Sequence, residues 1–473
     1  MKKIIKYTVG AFAGIIAAFC AFTGIRAYQF KNYDAANSLD VEELILLQNI
    51  MHSQYADEYK ILKPLPYSVG EPQLNVLAES AIMVDVSNGN IIYEKNADEV
   101  IPPASMTKLF AMYVVDEEVS AGRLTYDQII PLPPECWACN MPPHSSLMFL
   151  GEGQVVTLEE LLLGLSICSG NDAAYALAYT ICGSMEEFVE RMNQVAYDYG
   201  LTHTHFVESS GYSELNTTTA REMATFSCIY LQKHPDSLQR YHAVQKFTYP
   251  KEKNLAPGDR LVAQDFSQGF PRHITMSITQ RNTNPLLGVL DGVDGLKTGY
   301  IDESGYNLAL TANREGTRFL SVTMKGPGNS NSEGQAGRVH DGTELMEWAF
   351  KNFADAKIAD YIHPYFMRTF GAGEKGINLV PAFTPDYLTV PHVSGESVLD
   401  CIWDIKTDVS ITDDKWGELA AGTVCGYIRF YLDDYLLQEI PLLADRTVNK
   451  ANFIVTAADK LIYSLYMPTI ANP

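Results

Sequence analysis

The stretch "IPPASMTKLFAMYVV", residues 101–115, sets two prolines before an apolar helical run and holds Ser105 and Lys108 three residues apart. On a helix, residues at that spacing share one face. A serine hydroxyl is a weak nucleophile until a base takes its proton, and a lysine is such a base only in its neutral form. Burial and nearby positive charge lower a lysine pKa toward that range. Alone the pattern says little, since a chain of 473 residues holds about two S-x-x-K matches by chance. Here it is the only match, and Pro102 and Pro103 form a stiff entry that fixes where a helix begins. A serine in a first helical turn also sits near backbone N–H groups that favour developing negative charge.

Two later motifs add to it. "CSGNDAA" places Ser169, Gly170 and Asn171 between two helical runs. There the serine hydroxyl has the chemistry to relay a proton to a leaving amine, and the asparagine amide to hold a carbonyl and position Lys108. "DGLKTGYI" places Lys297, Thr298 and Gly299 on a strand, with Lys and Gly on one face and Thr on the other. Gly299 leaves room for a substrate backbone along that edge. Lys297 adds charge that favours an anionic substrate end and depresses the pKa of another lysine.

Around these motifs the chain reads as strands at both ends of a helical block. "SAIMVDVSNGNIIYEKN" is two apolar runs about Asn88-Gly89, a hairpin signal. "VTLEELLLGLSIC" opens with a Thr157–Glu160 capping box and keeps Leu158, Leu161, Leu162 and Leu165 at helical spacing. "MEEFVERMNQVAYDYG" is a helix stopped at Gly200, "YNLALTANREGTRFLSVTM" a second hairpin, and "TELMEWAFKNF" a closing helix. This is an α+β core with a discontinuous antiparallel sheet. From about residue 355, short apolar runs alternate with turns, which predicts a small all-β domain, a sandwich. The expected divisions are a signal peptide or membrane anchor (1–28), a partly helical stalk (29–72), a catalytic domain (73–353), the β domain (354–450) and a tail (451–473).

The net charge of −22 argues against nucleic acid, which needs a basic face. Lys2, Lys3 and Lys6 precede an uncharged, apolar-rich run from Tyr7 to Ile25 that is long enough to span a membrane. Such a segment sends the chain across the cytoplasmic membrane, as a retained anchor or as a signal peptide cut at Ala27. Cys136 and Cys139 form one C-x-x-C without a second pair at zinc spacing, so a local disulfide or two idle thiols is the reading. "HTH" at His203 to His205 lacks a third ligand nearby, and Cys401 and Cys425 both lie in the β domain, where a pairing between them is left open.

Taken in this order, the serine–lysine pair, Ser-Gly-Asn and Lys-Thr-Gly resemble the motifs of the serine-type D-alanyl-D-alanine carboxypeptidases, the low-molecular-mass penicillin-binding proteins. The resemblance runs from about residue 74 through "VDVSNGNIIYEKNADEVIPPASMTK", "GSMEEFVERMNQVAYDYGLTHTHF" and "NTNPLLGVLDGVDGLKTGYIDESGYNLALTANREGTRFLSVTMKG". Residues 355–450 are similar, more faintly, to that family's C-terminal β domain. It implies a penicillin-binding, transpeptidase-like α+β domain followed by the small β domain. It implies that Ser105 is acylated with Lys108 as its base, and that Ser169 and Asn171 complete the relay. Lys297, Thr298 and Gly299 would line the substrate strand, and the N–H groups of Ser105 and Tyr300 the oxyanion hole. Arg338 falls where the family tends to carry an arginine, a fork suited to a terminal carboxylate. No cofactor or metal is implied. The expected substrate is a peptidoglycan stem peptide ending in D-Ala-D-Ala, with β-lactams as covalent inhibitors. Ser210 and Tyr300 stand where relatives often have histidine, which puts rate and deacylation in question but not the reaction class.

Three rival readings share the fold. A serine β-lactamase is disfavoured because no E-x-x-x-N pattern lies between the second and third motifs. A D,D-endopeptidase needs only a wider cleft. A catalytically inactive wall-binding protein or β-lactam sensor would not need every motif side chain.

Overall fold

The computed structural model describes residues 2–33, 39, 41–70, 72–391, 405–412 and 416–470. The chain divides into two compact units. Ile61–Asp355 form the body of one; residues up to Lys60, Ala356–Val390 and the described residues beyond Leu399 form the other.

The larger unit is built on a six-stranded sheet. Its strands are β1 (Lys63–Pro64), β2 (Ser80–Asp85), β3 (Asn90–Lys95), β4 (Val293–Ile301), β5 (Gly305–Arg314) and β6 (Thr317–Gly326), in the spatial order β1-β3-β2-β6-β5-β4. The β1–β3 pair is parallel and all others antiparallel. Asn88-Gly89 turns β2 into β3, with Gly89 at φ +75°, a conformation that glycine adopts without penalty. Strands from both ends of the unit meet at β2–β6, where Ile82 pairs with Val322.

Side-chain alternation sorts the sheet's two faces. Ile82, Val84, Leu320, Val322 and Met324 point into the core shared with the helical block. Ala81, Met83, Leu308, Leu310 and Phe319 point the other way, against Leu345, Met346 and Ala349. Those last three belong to the closing helix Asn331–Asn352, which starts well before Thr343 because Ser330 caps it through the Glu333 N–H. At the centre of the block, helix Lys108–Ser120 is apolar nearly all round, and ten of its thirteen residues are buried, Lys108 among them. Phe110 stacks on Phe226 of helix Ala220–Lys233. The capping box at Thr157–Glu160 forms, and Leu158, Leu161, Leu162 and Leu165 are buried.

The second unit has a five-stranded antiparallel sheet: β7 (Tyr365–Arg368), β8 (Gly376–Pro381), β9 (Ile405–Ile411), β10 (Val424–Leu432) and β11 (Tyr435–Ala444), ordered β7-β8-β11-β10-β9. Ile377, Leu379, Ile428, Phe430 and Ile440 are buried in it. Helices α1 (Lys2–Lys31) and α2 (Val41–Gln54) and, at the chain's other end, α3 (Phe453–Ile470) belong to the same unit. The helix expected within the stalk is α2; Ile50 on it lies where a Cβ on Gly422 would fall. Cys136 and Cys139 are unbonded thiols. Cys401, and with it the pairing with Cys425, lies outside the described residues.

Candidate active site

Ser105 lies on a tight 3₁₀ turn, Ala104–Thr107, that leads directly into the central helix at Lys108. Ala104 takes φ +48°, a strained conformation that thrusts the turn toward the cleft. Two glycines make room for it. A Cβ on Gly211 would fall 1.8 Å from the Ala104 carbonyl oxygen, and one on Gly299 would fall 2.5 Å from that of Pro103 and 3.2 Å from the Ser105 nitrogen. The Ser105 turn is thus clasped between the loop after Glu208 and strand β4. β4 is the last strand of its sheet, with one edge free of any described strand.

Lys108 is fully buried, and its Nζ has three neighbours: Ser105 Oγ at 2.9 Å, Asn171 Oδ1 at 2.8 Å and the Ser210 carbonyl at 2.5 Å. Two of these only accept hydrogen bonds. A neutral amine has two N–H donors and one lone pair. With its donors on Asn171 and Ser210, the lone pair faces the Ser105 hydroxyl, the arrangement general-base catalysis needs. Burial lowers the Lys108 pKa to about 7, with the Glu208 and Asp172 carboxylates working in the opposite direction.

Lys297 is also fully buried and donates to Ser169 Oγ and to the Thr298 carbonyl, both at 3.0 Å. Burial first, then the positive fields of Lys108 and Arg338, hold its pKa well below that of a free lysine. Ser169 sits at φ +56°, where a π-turn, Gly164–Cys168, breaks the helix and lets helix Asn171–Cys182 begin. Asn171 Nδ2 donates to Ser145 Oγ. Thr298 Oγ1 donates to Thr283 Oγ1 at 2.8 Å. A cleft of about 550 Å³ opens over these groups, lined by Ser105, Asn171, Gly211, Tyr212 and Tyr300 together with Pro143, His144 and Ser146. Glu214, Asp302 and Glu303 make its rim acidic.

Sequence reasoning therefore names residues that the fold brings together, with one different placement. Arg338 is buried behind β4, where its guanidinium donates to the Gly299 and Asn307 carbonyls and lies over the Tyr306 ring. Nε and Nη2 are engaged there, so the side chain braces the strand rather than lining the cleft. Arg318 forms a two-pronged pair with Asp294.

Four supporting features have no signature in the sequence. Asp172, buried, accepts from the N–H groups of Met148, Phe149, Leu150 and Ala173 and so ties the cleft wall to the Ser-Gly-Asn turn. Glu208 accepts from the N–H groups of Ser210 and Gly211, and so presents the Ser210 carbonyl to Lys108. The Ser210 carbonyl is itself a backbone group. His242, whose pKa burial pushes down to about 3, stands 3.3 Å from the Leu296 carbonyl and 3.2 Å from the Tyr230 hydroxyl. Neutral and buried, it steadies the strand one residue before Lys297.

Fold and motif geometry together define a serine acyl-transfer enzyme. Residues 67–328 match the family model described as D-alanyl-D-alanine carboxypeptidase, and residues 376–450 match the penicillin-binding protein 5 C-terminal domain. The chain belongs to the D-alanyl-D-alanine carboxypeptidase family. It is 28% identical over 404 residues to D-alanyl-D-alanine carboxypeptidase DacA of Escherichia coli K12, covering 84% of this chain and 89% of that one. It is 27% identical over 383 residues to D-alanyl-D-alanine carboxypeptidase DacF of Bacillus subtilis, covering 80% and 87%. Among solved structures, penicillin binding protein 5 from Haemophilus influenzae superposes with a TM-score of 0.64 at 27% identity, covering 81% of this chain and all of that one.

Proposed function

We propose that this serine-type D-Ala-D-Ala carboxypeptidase uses Ser105 as nucleophile and Lys108 as base on peptidoglycan stem peptides, outside the cytoplasmic membrane. The observation that carries it is the Lys108 amine, held near neutrality 2.9 Å from Ser105 Oγ with both other neighbours acceptors. Lys108 takes the Ser105 proton as Oγ attacks the carbonyl carbon between the last two D-alanines. The oxyanion forms against the N–H groups of Ser105 and Tyr300. As the C–N bond breaks, the proton that Lys108 has taken passes through the Ser169 hydroxyl, hydrogen-bonded to Lys297, to the leaving D-alanine nitrogen, and Lys108 returns to its neutral form. Water then attacks the acyl-enzyme, Lys108 taking its proton and handing it to Ser105 Oγ as the ester bond breaks, and the shortened peptide leaves.

Lys297 and Thr298 contact the substrate strand. Arg338 supports it from behind, its positive charge favouring the peptide's carboxylate end. A β-lactam presents a strained amide to the same serine and is held as an acyl-enzyme. The apolar helix at Ala11–Lys31, with lysines ahead of it, holds the enzyme at the outer face of the cytoplasmic membrane. The test is D-alanine release from a peptide ending in D-Ala-D-Ala. The detergent-solubilised chain is expected to release it and Ser105→Ala to release none. Release by neither, with both folded, refutes the assignment.

A further inference from the structure

Away from the cleft, a buried ion pair joins the two ends of the chain. Thr23, Arg26 and Phe30 stand at i, i+3 and i+7 on α1, so they share one face. All three are buried, while every residue from 11 to 18 on the same helix is exposed. Arg26 reaches Asp459 on α3 with Nε and Nη2, the latter at 2.8 Å from Oδ2. Nη2 also lies 3.4 Å from the Ala372 carbonyl. Asp459, wholly buried, accepts a further bond from the Gly371 N–H at 2.8 Å. Below the pair, Phe30 is fully buried and stacks on Phe370, ring centroids 5.0 Å apart, with the Arg26 guanidinium over its ring. Arg368 donates to the Phe30 carbonyl. Phe370 also packs on Trp416 and Tyr463, and Ala458 and Ile462 of α3 are buried. The end of α1 is thus core of the second unit.

That bears on a cut at Ala27. α1 runs unbroken from Lys2 to Lys31, through Ala27. Such a cut would have bulky Ile25 at its third residue upstream, where leader processing favours a small one. It would remove Arg26 and leave Asp459 buried without its counter-ion, which is strongly destabilising. The part of α1 beyond the clamp is suited to lipid. Phe12, Ile15, Ile16, Phe22 and Ile25 are exposed. The apolar run Tyr7–Ile25, 19 residues, is about 28 Å long as a helix, close to a bilayer's hydrocarbon core.

We infer that the mature protein keeps α1 as a bilayer-spanning helix clamped to its own second unit through Arg26–Asp459. This rests on the membrane-anchoring reading above. The test is the N-terminus and fraction of the full chain, exported in a bacterial host. Intact mass is expected to include residues 2–27, and the chain to stay with membranes through an alkaline wash. A chain beginning near residue 28 overturns the inference; if it still sediments with membranes, the anchoring reading survives without it. A full-length chain in the soluble fraction refutes the anchoring reading and with it the bilayer-spanning role of α1.

The clamp has its own measurement. In detergent, Arg26→Asp and Asp459→Arg are each expected to shorten the second unit's half-life to trypsin about tenfold, and the double exchange to recover it to within about threefold. A fluorescent penicillin should acylate all four proteins equally, since neither residue touches the cleft. Equal half-lives among the four, or no recovery in the double exchange, overturn the clamp.

Discussion

Gly299→Ala isolates the fit between strand β4 and the Ser105 turn. The φ of Gly299 is outside the left-handed region, so alanine's backbone preference does not enter and the effect is one of space. The new methyl would lie 2.5 Å from the Pro103 carbonyl oxygen, about 0.9 Å short of the 3.4 Å at which ordinary contact begins. It would also lie 3.2 Å from the Ala104 Cβ and the Ser105 nitrogen. These obstacles are backbone or stubs of it, so no rotamer change relieves them and the strand and turn must part by most of that distance. A misplacement of about 1 Å costs on the order of 10²-fold in rate, or about 2.7 kcal/mol at the transition state. Both kcat/KM for D-alanine release and the rate of penicillin acylation are expected to fall by about 10²-fold. Gly337→Ala is the control, since its nearest neighbour would be the Pro327 oxygen at 3.6 Å; it should stay within about twofold. A Gly299→Ala enzyme within about threefold of the parent would refute the reasoning.

The titration of Lys108 gives two further expectations. Acylation should rise with pH as the amine loses its proton around pH 7, and Glu208→Gln should move that acid limb lower, because the Glu208 charge holds the lysine's proton on; profiles of acylation rate against pH check both. The Lys108 pKa is depressed on folding, so the unfolded chain binds more protons between about pH 7 and the free-lysine value of 10.5, and stability in that window rises with pH. Lys108→Met should therefore abolish acylation yet melt a few degrees higher than the parent at neutral pH, read by calorimetry. Asp172→Ala strips the acceptor from four buried N–H groups and should cost about 3–5 kcal/mol, read as a lowered urea midpoint.

What was legible in the sequence is what short-range rules encode. Asn88-Gly89, the Thr157–Glu160 box and the Leu158–Leu165 spacing each specify structure within a few residues, and each forms. The three catalytic motifs were legible because their residue types carry chemistry wherever they stand. The rest depends on partners far apart in the chain. Asp172 is one carboxylate among 57 acidic residues until the fold brings it the N–H groups of residues 148–150. The Ser210 carbonyl that directs Lys108 is a backbone atom, with no side-chain signature to read. Arg338 was read by the chemistry of its fork, but burial behind β4 commits that fork to the strand's own carbonyls. Arg26–Asp459 spans 433 residues and had no local sign.

The account stands on Ser105 being the atom that carries the acyl group, with Lys108 the base that puts it there. The most direct measurement treats the full chain with a slowly released β-lactam, digests it and locates the added mass by fragmentation. The expected result is an adduct on Ser105, none in Ser105→Ala, and a rate reduced at least about 10²-fold in Lys108→Arg, whose guanidinium stays charged. An adduct on any other residue, or full-rate acylation of the Lys108→Arg protein, would contradict it.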